Sequence, residues 1–346
     1  MGPTGVVFRS ARPLVLAALL VAAGMVPANE VTNTRAASQA PAGRVLASVR
    51  GQVAWVDLNA PMPVALTTFA RPAYVADVAA AQGVPFAAAT VIQPRVVSGS
   101  FGGDLVRVDL RSGGVTPLVE RTSDTESLEA PAMWPDGRGV LYARSNLSPA
   151  RTPPGVGAAL RESRIEQVAL EASNPVVLVD DAAYPGPAPD GSSLAFVRWT
   201  PAGVGLFLWS TRDAVATTVV PPGPFLALAY PRVSPDGQQL AFAAISRVSS
   251  AATLRNASSF GWLGALVVSA HGIPWEIWLV GPDGTNLRAV PEVLDDDPSV
   301  SWSPDGGKLL VYGGWGSYVI DATTGDVQSL PHLAGYGSTA WLAAGD

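Results

Sequence analysis

The chain alternates short apolar runs with tight polar breaks, and the breaks recur as one phrase. Met133-Trp134-Pro135-Asp136-Gly137, Pro187-Ala188-Pro189-Asp190-Gly191, Val233-Ser234-Pro235-Asp236-Gly237 and Trp302-Ser303-Pro304-Asp305-Gly306 each precede, by two residues, a run such as Val140-Leu141-Tyr142, Leu194-Ala195-Phe196, Leu240-Ala241-Phe242 or Leu309-Leu310-Val311-Tyr312. Short runs bounded by turn residues read as strands. Proline presets φ, aspartate can bond the backbone ahead of it and glycine accepts positive φ, so Pro-Asp-Gly is suited to joining two antiparallel strands. A third and a fourth strand follow, as in Trp275-Glu276-Ile277-Trp278-Leu279-Val280, a turn at Pro282-Asp283-Gly284, and Leu287-Arg288-Ala289-Val290. Four strands per repeat predict the blade of a propeller.

A fainter copy runs from Tyr74 to Val119, with Ala81-Gln82-Gly83 in place of Pro-Asp-Gly and Leu105 to Leu110 as its third strand. The remaining strands lie at opposite ends of the chain: Val45 to Val49, Val53 to Leu58 and Val64 to Thr67 near the start, and Ser338 to Ala343 near the finish. Three and one complete a sixth blade, which predicts an all-β, six-bladed propeller whose N- and C-terminal strands share one blade. Closure of this kind leaves no free sheet edge.

The phrase Trp-Ser-Pro-Asp-Gly followed by Leu-Leu-Val-Tyr resembles the WD-like propeller repeat of the TolB-type family, and its copies cover most of 74–331. The resemblance implies a six-bladed propeller in a bacterial envelope or secreted protein. No α/β domain is expected ahead of the propeller, so TolB partner contacts are not carried over. The repeat is also similar to the propeller of prolyl-oligopeptidase-like enzymes, but without a Gly-x-Ser-x-Gly elbow no hydrolase domain is expected.

Ahead of the repeats, Arg9 and Arg12 precede an apolar run from Pro13 to Ala28 that ends in small residues, the pattern of an export signal. The run is shorter than the roughly 20 residues that span a bilayer. The expected organisation is a signal peptide or uncleaved anchor over 1–28, a polar, Ala-rich flexible linker over 29–43, and the propeller over 44–346. The chain has no cysteine, which removes disulfides, thiol chemistry and a lipidated N-terminus. Its formal charge of −6 grows more negative once the two signal arginines are removed, so nucleic acid is not an expected partner. Glycine and proline, 35 and 31 of 346 residues, fit a folded, turn-dense protein.

Candidate chemistry is sparse. Asp136, Asp190, Asp236 and Asp305 each sit alone in a turn and read as structural, because a metal needs converging ligands. Asp295-Asp296-Asp297 lies in a link between blades, where loops rim the channel, and reads as solvated surface ahead of a cation site. The two imidazoles, His271 and His332, fall in no catalytic motif. Trp134, Trp209, Trp275, Trp278 and Trp302 belong to turns or third strands and read as packing.

The long insertions, 91–103, 145–163 and 246–274, all join second to third strands and so gather on the face that also carries the blade-to-blade links. Long loops of this kind are usually functional or disordered, and the third is too apolar to be simply disordered. The last insertion is apolar and aromatic and reads either as a partner-binding lid or as a plug buried against the propeller; on the first reading Phe260, Trp262, Leu263 and His271 are the candidate ligand-binding residues. The expected function is a noncatalytic exported module that binds or scaffolds a protein, peptide or glycan through this face. No catalytic residue, metal site or cofactor is assigned, and membrane contact is expected only if the signal segment stays uncleaved. The rival is an exported hydrolase or lyase with acids at the channel mouth. The rival predicts carboxylates converging in a pocket, whereas the binding module predicts an apolar, aromatic patch with a polar rim.

Overall fold

Each Pro-Asp-Gly turn is too short for a crossover, so successive apolar runs can pair only as antiparallel ladders. The computed structural model describes residues 43–59, 62–94, 101–146, 162–170, 174–248 and 274–344. Blade 1 begins with β1 (Arg44–Val49), β2 (Gln52–Val56) and β3 (Val64–Ala65). Blade 2 is β4 (Tyr74–Ala79), β5 (Phe86–Pro94), β6 (Phe101–Asp109) and β7 (Val115–Val119). Blade 3 is β8 (Glu126–Met133), β9 (Val140–Asn146), β10 (Ser163–Val168) and β11 (Val176–Asp180). Blade 4 is β12 (Ala183–Pro187), β13 (Ser193–Thr200), β14 (Gly203–Ser210) and β15 (Ala216–Val220). Blade 5 is β16 (Phe225–Val233), β17 (Leu240–Ser246), β18 (Trp275–Val280) and β19 (Arg288–Asp295). Blade 6 is β20 (Ser299–Trp302), β21 (Lys308–Tyr312), β22 (Ser317–Asp321) and β23 (Val327–Ser329). The last strand, β24 (Ala340–Leu342), returns to blade 1, pairing Leu46 with Ala340 and Arg44 with Leu342. Six four-stranded sheets result.

Alternate residues of a strand point to opposite faces, and here both faces are covered by neighbouring blades. Val45 and Ala47 pack toward blade 6, while Leu46 packs toward blade 2. Leu309 and Val311 likewise face blade 5, and Leu310 and Tyr312 face blade 1. Every pair of adjacent blades, including the closing pair 6 and 1, has an apolar cluster of its own between the sheets. Trp134 and Trp302 lie within two of these clusters, as their places before the turns predict.

The turn aspartates act locally. Asp190, Asp236 and Asp305 each accept the backbone N–H two residues ahead, from Ser192, Gln238 and Gly307. Gly137, Gly191, Gly237 and Gly306 have φ near +70°. One expectation needs correction: 91–103 and 145–163 are not wholly loop. The ladder of β5 and β6 continues to Pro94 opposite Phe101, whereas in 145–163 pairing is described only at its ends, where Ser145 meets Ser163, and 147–161 lie outside the described residues.

Candidate channel-mouth site

The innermost strand of each blade, β24 in blade 1 and the first strand in blades 2 to 6, lines the channel, and in three of them a dipeptide ending in proline breaks the ladder. Ala130-Pro131, Tyr184-Pro185 and Tyr230-Pro231 coincide with register shifts in β8, β12 and β16. Proline has no N–H to donate to the ladder, so the strand bulges at that point. The residue before each proline has positive φ: 49° at Ala130, 54° at Tyr184 and 49° at Tyr230. Left-handed backbone at tyrosine is uncommon and is tolerated where the surroundings enforce it.

The consequence is a plug in the channel. The rings of Tyr184 and Tyr230 meet edge to face with centroids 5.0 Å apart. Tyr230 Oη donates to Asp77 Oδ1 of β4 at 3.4 Å. Blades 2 and 5 stand opposite each other in a ring of six, so this contact crosses the axis. Asp77 also accepts Ser338 N–H at 2.7 Å and Ala130 N–H at 3.4 Å, tying in the segment before β24 and blade 3. Burial pushes both tyrosine hydroxyls well above their usual pKa, with nearby carboxylates adding to the shift.

Above the plug, on the face of the links, opens a pocket of about 830 Å³ lined by Asp77, Tyr230, Asp297, Tyr74, Phe69, Arg50, Arg71 and Tyr336 among others. A smaller cavity of about 170 Å³ is lined by residues further along the same inner strands, including Ala132, Pro187, Arg232 and Thr339.

Local sequence explains how the rim is placed. Val49 pairs with Gln52, leaving Arg50 and Gly51 as a two-residue hairpin turn with φ of 53° and 77°, as a type I′ turn requires. A side chain at Gly51 would collide with Tyr74, so this glycine permits the close approach of the next blade. Gln52 then secures the link that carries Arg71: its Nε2 donates to Phe69 O at 3.0 Å and its Oε1 accepts Phe69 N–H at 2.7 Å. Arg71 precedes Pro72 through a cis peptide bond.

The acid run before blade 6 divides into three environments, which corrects its reading as solvated surface. Asp295 is fully buried and accepts N–H bonds from Asp296 and Trp315. Burial raises its pKa despite those bonds. Asp296 accepts the hydroxyl of Tyr336 at 2.9 Å. Asp297, with φ of 48°, enters the pocket, where burial, then Asp77 and Asp296, push its pKa up to about 6. Among the described residues no cluster of three or more acids and histidines is arranged to hold a metal.

No family profile and no curated protein matches this chain in sequence. Solved structures do match it. TolB from Acinetobacter baumannii aligns with a TM-score of 0.61 and 14% identity over 86% of this chain, which spans 66% of that protein's length. The fold is that of the TolB-type propeller. An Agrobacterium tumefaciens protein described as TolB gives 0.55 at 15% identity, covering 84% of this chain and 88% of its own. The structure of a nidogen/laminin complex gives 0.58 at 13% identity, covering 86% and 97%. At such identities the similarity speaks to the fold alone.

In this six-bladed propeller the face of the links is the one that carries the large pocket. The predicted residues Phe260, Trp262, Leu263 and His271 lie outside the described residues, as does the segment 1–42 read as signal and linker. His332 is an exposed link residue. Asp77, Tyr184, Tyr230, Arg50 and Arg71 were missed, and Asp297 was read as surface. A signal did exist for the tyrosines: Tyr184-Pro185 and Tyr230-Pro231 stand at the same distance before their Pro-Asp-Gly turns, as does Ala130-Pro131.

Proposed function

We propose that this chain is an exported, noncatalytic propeller that binds a protein, peptide or glycan at the mouth of its channel, on the face of the blade links and long insertions. The carrying observation is the pocket itself, a concave site closed below by Tyr230 and Asp77, with an aromatic wall and a polar rim. That a fold of this kind occurs in a complex between nidogen and laminin supports a protein partner. The apolar insertion residues Phe260, Trp262 and Leu263, with His271, would extend the same face. Export rests on the N-terminal signal pattern, and the envelope location of the TolB-type resemblance agrees with it.

Site-directed photo-crosslinking tests this reading. Crosslinkers at Tyr74 and Tyr336 should give discrete adducts in envelope extracts, while one at Gln238, on the opposite turn face, should not. Equal adduct patterns from the two faces would refute the assignment.

One observation favours a second reading: Asp77 and Asp297, two carboxylates, converge in one pocket, as a hydrolase or lyase would require. Loss of oligosaccharide cleavage in Asp77→Asn and Asp297→Asn, with wild-type cleavage demonstrated first, would replace the noncatalytic reading.

A further inference from the structure

The pocket is polarised along its depth. At its floor Asp77 is buried, and the Asp297 carboxylate accepts no hydrogen bond among the described residues. At its rim the Arg50 and Arg71 guanidiniums are exposed and have no acceptor or ion-pair partner among the described residues. Phe69 and Tyr74 line the same pocket. A ligand that satisfies both levels needs a cation at the inner end, an anion at the outer end and an apolar body between. A pocket of this volume accommodates a few amino-acid residues.

We infer that the pocket takes a short peptide by its two ends, the amino terminus on Asp77 and Asp297 and the carboxylate at Arg50 and Arg71. This rests on the channel mouth being the binding site, and it adds the ligand class and direction. The charged and titratable groups around Asp297 are Asp77 from β4, Asp296 beside it, Tyr184 from β12, Tyr230 and Arg232 from β16, and Tyr336 in the last link, with Glu129 of β8 near Tyr184. Arg232, half-buried in the channel wall, is the cation of this group and does not offset all the acids. A terminal ammonium, protonated at pH 7, supplies what is missing.

The test uses the tripeptide Ala-Phe-Ala with free ends, its N-acetyl form and its C-amide form, measured by titration calorimetry on the full protein at pH 7.5. N-acetylation should weaken binding by at least tenfold and amidation by about threefold to tenfold, since charged hydrogen bonds are the strong ones. Asp297→Asn should erase the penalty of N-acetylation, and Arg71→Gln that of amidation. Both variants should keep their fold, because asparagine accepts left-handed backbone and Arg71 is exposed. At pH 5, with Asp297 largely protonated, the free amino end should lose most of its advantage. Equal binding of the three peptides, with affinity still lowered by Tyr74→Ala, overturns the end-recognition while leaving the channel-mouth site standing. If none of the three binds, the end-recognition is overturned, and crosslinking at Tyr74 and Tyr336 decides the channel-mouth site separately.

Discussion

Replacing Asp297 with asparagine keeps the side-chain shape, suits the positive φ of 48° and removes a charge that the fold holds at a disadvantage. In the unfolded chain this carboxyl ionises near 3.8, whereas in the fold it does so near 6. The folded state therefore holds the proton longer, and stability falls as pH rises between the two values. The penalty is absent below 3.8, grows through the window and is fully present above about 6. A separation of that size corresponds to about 3 kcal/mol, an upper figure because water in the pocket screens part of it. Urea unfolding at pH 8 should show Asp297→Asn more stable than wild type by about 1 to 3 kcal/mol, with the difference vanishing by pH 3.8. A variant equal to or weaker than wild type at pH 8, or a gain independent of pH, would refute the account of Asp297 as an ionised, uncompensated acid. A residue that weakens the fold at neutral pH is the kind retained for binding or catalysis.

Other perturbations test the frame around the site. In blade 3, buried Glu166 accepts Tyr142 Oη at 2.5 Å, Arg144 Nε at 3.0 Å and Arg164 Nε at 2.7 Å. Glu166→Ala strands those donors and should lower stability by about 3 kcal/mol in urea unfolding; a loss under 1 kcal/mol would mean that water replaces the carboxylate. Burial opposes ionisation of Glu166, but the three hydrogen bonds outweigh it and lower its pKa. Its stabilisation is present above about 4.5 and is lost as pH falls below, so the pH profile of Glu166→Ala should be flatter than wild type there. Gly237→Val meets open space but must adopt φ of 73°, which should cost about 1 to 3 kcal/mol by calorimetric melting; an unchanged melting temperature would mean that the turn refolds. Deleting 337–346 removes buried Trp341 and Leu342 and the bond from Ser338 to Asp77, so a cooperative melt should be lost. A truncated protein that melts like the full chain would defeat ring closure by β24.

The number of blades, their strand count, the turn geometry and the closure of the ring were all legible along the chain. These are local properties: Pro-Asp-Gly sets backbone angles within its own residues, and a strand buried on both faces reads as an unbroken apolar run wherever it lies. The face that carries the pocket followed from the same bookkeeping of turns and links. What occupies that face did not, because Asp77, Ser338 and Tyr230 are far apart in the chain and meet only when blades 1, 2 and 5 converge on the axis. The three neighbours Asp295, Asp296 and Asp297 show the limit most directly. In sequence they are one acidic run. In the fold one carboxylate is buried on backbone N–H groups, one holds a tyrosine hydroxyl and one enters the pocket, because adjacent residues leaving a strand turn toward different surroundings. Their separate environments, and the pKa that follows at Asp297, were decided by the closed ring.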